Sequence, residues 1–392
     1  MSSLRVLHII TRLIVGGAQE NTMLTILGLS KRGYEAELLS GPTTGPEGEI
    51  VSEIREQGIR LFIIPDLIRE ISPIRDLKAF FDIYRFLRKN RYDIVHTHSS
   101  KAGILGRLAA FLAGVPLIIH TIHGLPYHRF QNVLLNLFYI FAEKIAGYVS
   151  DSIIAVSRNN LEDAVLRGIA PRFKFRVIRS GMNIDRFQSA SLFRNDIRKR
   201  YGISPDSVVI GVVARLFHLK GHKFILLSSR SILKEFPQAL FFFVGDGILR
   251  RNLEEFASKL GVRDRFIFTG LIPRGEVPKY ISAMDLIVHP SLREGLARVI
   301  PQGFILEKPV VIFDIDGANE VVRDNETGLL VKPCDVPGLK RAILDLLRNP
   351  SKARELGVTG KAIALQEFTD EKMVEDIHQL YRKLLNRKKA QS

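Results

Sequence analysis

The chain has 392 residues, 46% of them apolar and 25% charged, which fits a folded globular protein and excludes a disordered, collagenous or coiled-coil chain. The length suits two or three domains. A single cysteine, Cys334, excludes an intramolecular disulfide and a Cys-rich zinc site, and the net charge of +16 implies anionic partners: nucleotide phosphates, nucleic acid or an acidic membrane surface.

Along the chain, short β-branched runs alternate with amphipathic stretches. Val6–Ile10 predicts a strand, followed by a helix from Ala18 to Lys31. Glu35–Leu39 predicts a strand and Glu47–Glu56 a helix. Leu61–Ile64, a helix over Ile74–Arg88, Asp93–His96, a helix over Ala102–Leu112 and Leu117–His120 continue the alternation. This order predicts a parallel sheet layered with helices. The N-terminal apolar run is too short for a signal core, and Cys334 is expected to be a reduced thiol in a cytoplasmic protein. Residues 108–128 carry no charge, but Gly114, Pro116, His120, His123, Gly124 and Pro126 break them into a helix end, a strand and a loop. Phe130–Ala142 is apolar yet too short to span a bilayer, and is expected to be an interfacial or core helix.

The pattern breaks over residues 170–206 and restarts at Val208–Ala214. Expected next are a helix after Gly221, strand Leu240–Val244, helix 247–260, strand Phe266–Phe268, helix 276–283, strand Leu286–Val288, helix 297–306 and strand Val310–Phe313. Helices over 351–366 and 371–390 end the chain. The expected boundary lies near Asp185. The fold class is α/β: two Rossmann-like doubly wound domains facing across a cleft. In such sheets ligands bind beyond the carboxyl ends of the strands, so the loops after strands are where chemistry is expected.

Gly16-Gly17 opens a helix after the first strand. Glycine permits close backbone approach, and a helix N-terminus attracts anions; a plain tight turn reads the same. The absence of G-x-G-x-x-G disfavours a nicotinamide cofactor. His123-Gly124 follows a strand, as a functional or a structural histidine would. His96 and His98 also end a strand; without nearby carboxylates or thiols they make a poor metal pair. Arg215 and Lys220-Gly221 end the first strand of the second half, where a guanidinium fork and a mobile ammonium suit a diphosphate. Gly245-Asp246-Gly247, with Arg250 beyond, is a common turn. Ser291-Leu292-Arg293-Glu294-Gly295-Leu296 puts a carboxylate and amides at a helix mouth, for sugar hydroxyls or simply as a cap.

Taken together, these loops resemble those of the family-4 retaining glycosyltransferases of the GT-B fold, over essentially the whole chain. Ser180-Gly181-Met182-Asn183-Ile184-Asp185 and Thr269-Gly270 add to the match in order and spacing. The resemblance implies an acceptor-binding domain, 1–185, rejoined by a final helix, 370–392, and a donor-binding domain, 186–369. It implies that Arg215 and Lys220 hold the donor diphosphate and that Gly16 and Gly17 approach it or the acceptor. Gly245 would belong to the donor site. His123 would lie against the donor sugar, and Glu294 with the Gly295 and Leu296 amides would bind sugar hydroxyls. No metal and no cofactor are expected; a UDP- or GDP-linked sugar is the substrate. Same-face displacement is the implied mechanism, with the leaving phosphate taking the acceptor proton.

The family pattern places a second Glu, which binds ribose, where this chain has Gln302, an uncharged acceptor. Pro301 should lie in the first turn of its helix, and Glu307 stands where relatives usually have Gly. Nine basic against four acidic residues over 69–107, nine against two over 172–200, and the tail Arg382, Lys383, Arg387, Lys388 and Lys389 fit docking on anionic lipid together with the helix at 130–142. The expected location is cytoplasmic, peripheral on the inner face of the membrane. The expected acceptor is a glycan or glycolipid of polysaccharide or lipopolysaccharide biosynthesis. A sugar-nucleotide epimerase on the same fold would need further acid–base groups. A nucleic-acid binder would need interleaved aromatics, and the chain has no Trp.

Overall fold

The computed structural model describes residues 3–43 and 49–390. The chain divides into two compact units, Met1–Met182 with Asp370–Ser392, and Asn183–Thr369.

Unit 1 runs β1 (Arg5–Ile10), α1 (Gly17–Ser30), β2 (Glu35–Ser40), α2 (Val51–Glu56), β3 (Leu61–Ile63), α3 (Pro73–Asn90) and β4 (Ile94–His98). It continues with α4 (Ser100–Ala113), β5 (Leu117–Ile122), α5 (Val133–Tyr148), β6 (Ser152–Ala155), α6 (Arg158–Leu166) and β7 (Phe175–Val177). The seven strands are parallel in the order β3-β2-β1-β4-β5-β6-β7. The chain winds outward from β1 and then from β4, so the direction switches between those two neighbours, where ligand crevices form in open sheets.

Unit 2 runs α7 (Asp185–Gln188), α8 (Arg194–Arg200), β8 (Val208–Val213), α9 (His222–Glu235), β9 (Ala239–Val244), α10 (Arg250–Lys259), β10 (Phe266–Phe268) and α11 (Val277–Ser282). Then follow β11 (Leu286–His289), α12 (Val299–Ile305), β12 (Val310–Phe313), α13 (Ala318–Val321), β13 (Leu329–Val331), α14 (Val336–Arg348) and α15 (Pro350–Glu367). Its parallel sheet has the order β10-β9-β8-β11-β12-β13, with the switch between β8 and β11. Phe241, Phe242 and Phe243 are consecutive and all buried, as expected where helices cover both faces of a parallel sheet.

The last helix, α16 (Asp370–Lys389), belongs to unit 1. Its Met373, Val374, Ile377, Leu380 and Tyr381 pack in one core with Val6, Leu24, Ile94 and Ile119. A Cβ on Gly28 would lie 2.5 Å from Val374 Cγ2, so α1 accepts α16 only because that position has no side chain.

Several elements differ from their sequence expectations. The helix expected from Glu47 begins at Val51; Glu47 itself lies outside the described residues. β7 falls inside the stretch read as a break, and β6, β13 and α14 were not anticipated. β7 and β13 are three-residue strands at sheet edges, too short to show a period. The helix expected to end at Ala142 runs to Tyr148. It continues because Glu143 is buried against Arg107 of α4 at 2.5 Å, a pairing that no local pattern reveals. Asn132 caps its start, accepting from the Leu134 and Leu135 amides.

Candidate active site

In unit 2, the loop after β8 meets the loop after β11. Gly221 makes this possible. Its φ is 72°, and a Cβ there would stand 1.8 Å from the Pro290 carbonyl oxygen, so only glycine lets the loops touch. The Leu292 amide and the Ser291 hydroxyl both donate to the Leu219 carbonyl, at 2.8 and 3.0 Å. Lys220 is thereby brought to Glu294: Nζ lies 2.5 Å from Oε1. The same oxygen accepts from His289 Nε2 at 2.8 Å, and the Glu294 amide donates to Asp316 at 2.7 Å. Burial alone would raise the Glu294 carboxyl, but the charge of Lys220 and the His289 hydrogen bond hold it well below the usual carboxylate range. The result is a fixed carboxylate and an ammonium side by side at the switch point.

The other donor-site candidates of unit 2 lie in loops after its strands and on α12. Arg215 is exposed just beyond β8, its guanidinium 5.2 Å from the centre of the Phe217 ring. Gly245 directly follows β9 and bridges to Gly270, with Arg250 holding Asp246 at 3.1 Å. Glu294, Gly295 and Leu296 line a shallow depression together with His289, Phe313 and Gly317. Pro301 is the third residue of α12, in its first turn as expected, and Gln302 follows it, half-buried. Glu307 has φ 54°. It closes α12 in a left-handed cap, with the Lys308 amide on the Gly303 carbonyl and the Glu307 amide on the Phe304 carbonyl. That geometry gives a physical reason for glycine at this position.

In unit 1, Gly16 is the extended residue before α1 and Gly17 its first residue; no side chain caps that helix. His123 is the first residue after β5, which runs two residues beyond the expected end at His120. The sheet register collects histidines. His8 of β1 stands opposite His96 of β4, and His98 opposite Thr121 of β5. Since side chains alternate, His8, His96, His98, Thr121 and His123 share one face, while Thr97 and His120 share the other. There His120 Nδ1 meets Thr97 Oγ1 at 2.9 Å, and α4 closes over them through Gly103, whose Cβ would stand 2.5 Å from the His120 ring. On the first face His96 is bound by Tyr381 of α16 and by Thr121, each at 2.6 Å. Burial lowers the pKa of His8 to about 3 and those of His96, His98 and His120 well below 6.5. His96 and His98, a poor metal pair on sequence grounds, stand with His8, the ring nitrogens of the three within 4.8 Å of one another.

Sequence reasoning missed His289, Asp316, His8 and Tyr381. Only the first had a visible signal, a polar residue ending a strand two positions before the Ser291–Leu296 loop. The basic surplus also needs correction. Arg107 is fully buried on Glu143, Arg198 is held by Asp285, and Lys388 by Asp151. Arg107 and Arg198 are committed to the fold, while Lys388 stays part-exposed in a surface ion pair.

Residues 15–186 match the family described as "Glycosyltransferase Family 4", and residues 193–362 match "Glycosyl transferases group 1". The UDP-Gal:alpha-D-GlcNAc-diphosphoundecaprenol alpha-1,3-galactosyltransferase of Escherichia coli is 29% identical over 350 residues, 88% of each chain. The capsular polysaccharide biosynthesis glycosyltransferase CapM of Staphylococcus aureus is 25% identical over 332 residues, 82% of this chain and 85% of CapM. The fold superposes on Anabaena HepE in complex with UDP and glucose with a TM-score of 0.82 at 20% identity, covering 97% of this chain and 99% of HepE. This chain belongs to the family-4 glycosyltransferases of the GT-B fold, and as an enzyme it is a nucleotide-sugar-dependent hexosyltransferase.

Proposed function

We propose that the enzyme moves a hexosyl group from a nucleoside diphosphate sugar to a lipid-linked or surface-polysaccharide acceptor, with retention and without a divalent ion. The observation that carries this is the Lys220–Glu294–His289 group at the β8/β11 switch point. In this reading Lys220 and Arg215 neutralise the diphosphate as the anomeric C–O bond breaks and its electron pair moves to phosphate. Glu294, kept anionic, accepts from sugar hydroxyls, with Gly295 and Leu296 beside it. Gly16, Gly17 and Gly245 let backbone approach the donor, Gln302 faces the ribose, and His123 lies against the sugar. The acceptor oxygen attacks the same face and passes its proton to the leaving phosphate oxygen. The names of the Escherichia coli and Staphylococcus aureus relatives support an acceptor on a lipid diphosphate or a capsule polymer. They favour neither an epimerase nor a nucleic-acid binder.

A membrane-side location fits the same reading. No helix among the described residues is long and apolar enough to cross a bilayer. Yet α5 exposes Val133, Leu134, Leu137, Phe138 and Phe141, each more than half exposed, and α3 exposes Ile74 and Leu77. These apolar faces, with exposed Arg75 and Lys78 of α3 near Asp66 and Arg129 before α5, suit anionic lipid on the cytoplasmic leaflet. Sedimentation with acidic and neutral vesicles tests this, preferential binding to acidic vesicles being the expected result. For the chemistry, thermal shifts with UDP-, GDP- and ADP-sugars select the donor, and transfer to a lipid diphosphate glycan is then followed with EDTA present. Stabilisation by no nucleotide sugar, or abolition of transfer by EDTA, would count against the donor site or against its metal independence respectively.

A further inference from the structure

Three imidazoles stand in line behind the first strand ends of unit 1. His8 Nδ1 lies 2.9 Å from His98 Nε2, and His98 Nδ1 lies 3.0 Å from His123 Nε2. The rings lie edge to edge with nearly parallel planes, His8 and His98 at 5.3 Å and 17°, His98 and His123 at 5.2 Å and 24°. His8 and His98 are fully buried, and His8 Nε2 has no partner. This row depends on the β1–β4–β5 register, and nothing in the site as assigned so far uses His8 or His98.

A neutral imidazole has one N–H and one lone pair. His98 engages both of its nitrogens within the row, so its tautomer fixes the polarity of both hydrogen bonds at once. In one polarity His8 Nδ1–H donates to His98, and His98 Nδ1–H donates to His123 Nε2; the dead end of the row is then a bare lone pair on His8. In the reverse polarity the dead end is an N–H at His8 Nε2 buried without an acceptor, and a buried donor left unsatisfied costs about 1–3 kcal/mol. The first polarity is favoured. A metal-ligand reading of His8, His96 and His98 fits less well: both nitrogens of His96 already hold hydroxyls, and no carboxylate or thiolate belongs to the group.

We propose that His98, backed by His8, is a positioning residue that holds His123 as the neutral tautomer with its proton on Nδ1 and its ring fixed. The proposal rests on the reading that His123 lies against the donor sugar. Its chemical consequence is specific. Positive charge develops at the anomeric carbon as the phosphate leaves, and a cationic imidazolium there would oppose it, whereas a neutral ring with a locked donor does not.

The test is a double-mutant cycle with a tautomer readout. His98→Phe keeps an aromatic ring and removes both hydrogen bonds; kcat should fall about 10-fold or more, the scale on which outer orienting partners act, with donor KM little changed. His98→Asn places an amide nitrogen where Nδ1 stood, and should recover most of kcat. In the His123→Ala background His98→Phe should cost nothing further. Nitrogen-15 chemical shifts of the unsubstituted enzyme should show His123 Nε2 as an unprotonated acceptor. An equal loss in both backgrounds, an unchanged kcat in His98→Phe, or a proton on His123 Nε2 would each overturn the proposal. If His123→Ala itself keeps kcat, the reading of His123 has failed instead, and the nitrogen shifts alone decide whether the row has the stated polarity. Should His98→Phe not fold, His98→Asn and the nitrogen shifts carry the same decision.

Discussion

The switch-point loops of unit 1 and unit 2 occupy corresponding places at the carboxyl ends of parallel sheets, yet they bury polar groups in opposite ways. At the strand ends of unit 1, away from the Arg107–Glu143 ion pair, this is done by neutrality. His8, His96, His98 and His120 share their hydrogen bonds with each other, with Thr97 and Thr121 and with Tyr381, and burial keeps them uncharged. Unit 2 does so by pairing. Glu294 keeps its charge because Lys220 and His289 converge on one oxygen. The difference follows from what stands nearby: an isolated buried group sheds its charge, while a paired one retains it. Under the proposed function the same contrast divides the work: the charged group of unit 2 meets the diphosphate and the sugar hydroxyls, and the neutral row of unit 1 stands behind His123.

The contrast predicts, first, different responses to acid. Each buried neutral histidine has a folded pKa below its unfolded one, so the unfolded chain binds more protons and stability falls as pH drops below about 6.5. For His8 the window reaches down to about 3, with a slope of about 1.4 kcal/mol per pH unit. Among the described residues, unit 1 has four such groups, His8, His96, His98 and His120, opposed by Asp370, whose carboxyl burial pushes up to about 6; unit 2 has one, His222. The depressed carboxyl of Glu294 keeps its contribution above the ordinary carboxylate range and loses it only as pH falls further. Hydrogen exchange of the whole chain at pH 7 and pH 5 should therefore show unit 1 opening first. Equal opening, or unit 2 first, breaks the contrast.

Next in size are the donor-site substitutions. Lys220→Ala should lower kcat by about 10²–10³, because its contact strengthens as charge grows on the leaving diphosphate. Gln302→Ala should mainly raise the donor KM, since the ribose does not change during reaction. Steady-state kinetics on both decide it; a near-normal kcat in Lys220→Ala with loss in Gln302→Ala would reassign the site. Gly221→Ala should destabilise by about 2 kcal/mol, from the left-handed backbone and the Pro290 carbonyl, and lower kcat by parting Lys220 from Glu294. Urea unfolding and turnover on one sample would show whether the two losses go together.

The smallest expected effect separates fold from site. Glu307→Gly relieves a left-handed residue at the cost of one exposed ion pair with Lys361 at 2.8 Å. Melting should rise by about 1–3 °C with kcat unchanged. A fall in melting temperature would mean that the Lys361 pair outweighs the backbone strain.

The strand and helix order was legible because both sheets are built from apolar runs that end in glycine, histidine or charged turns. Val310–Phe313 could be read residue by residue and Val208–Val213 to within one residue, and the loops bearing Lys220 and Glu294 were legible too, since spacing along the chain is a local property. Elements whose identity is not local escaped. β7 and β13 are edge strands defined by the neighbour they pair with, and α5 extends to Tyr148 because Glu143 finds Arg107 on another helix. The same divide runs through the site. The sequence by itself determined that basic, acidic and histidine residues follow the right strands. Only the tertiary structure decided that Lys220 and His289 share one oxygen of Glu294, and that His8, His98 and His123, from three strands, stand in one row. The reason is that parallel register sets which side chains face each other, and register is fixed by pairing across the whole sheet.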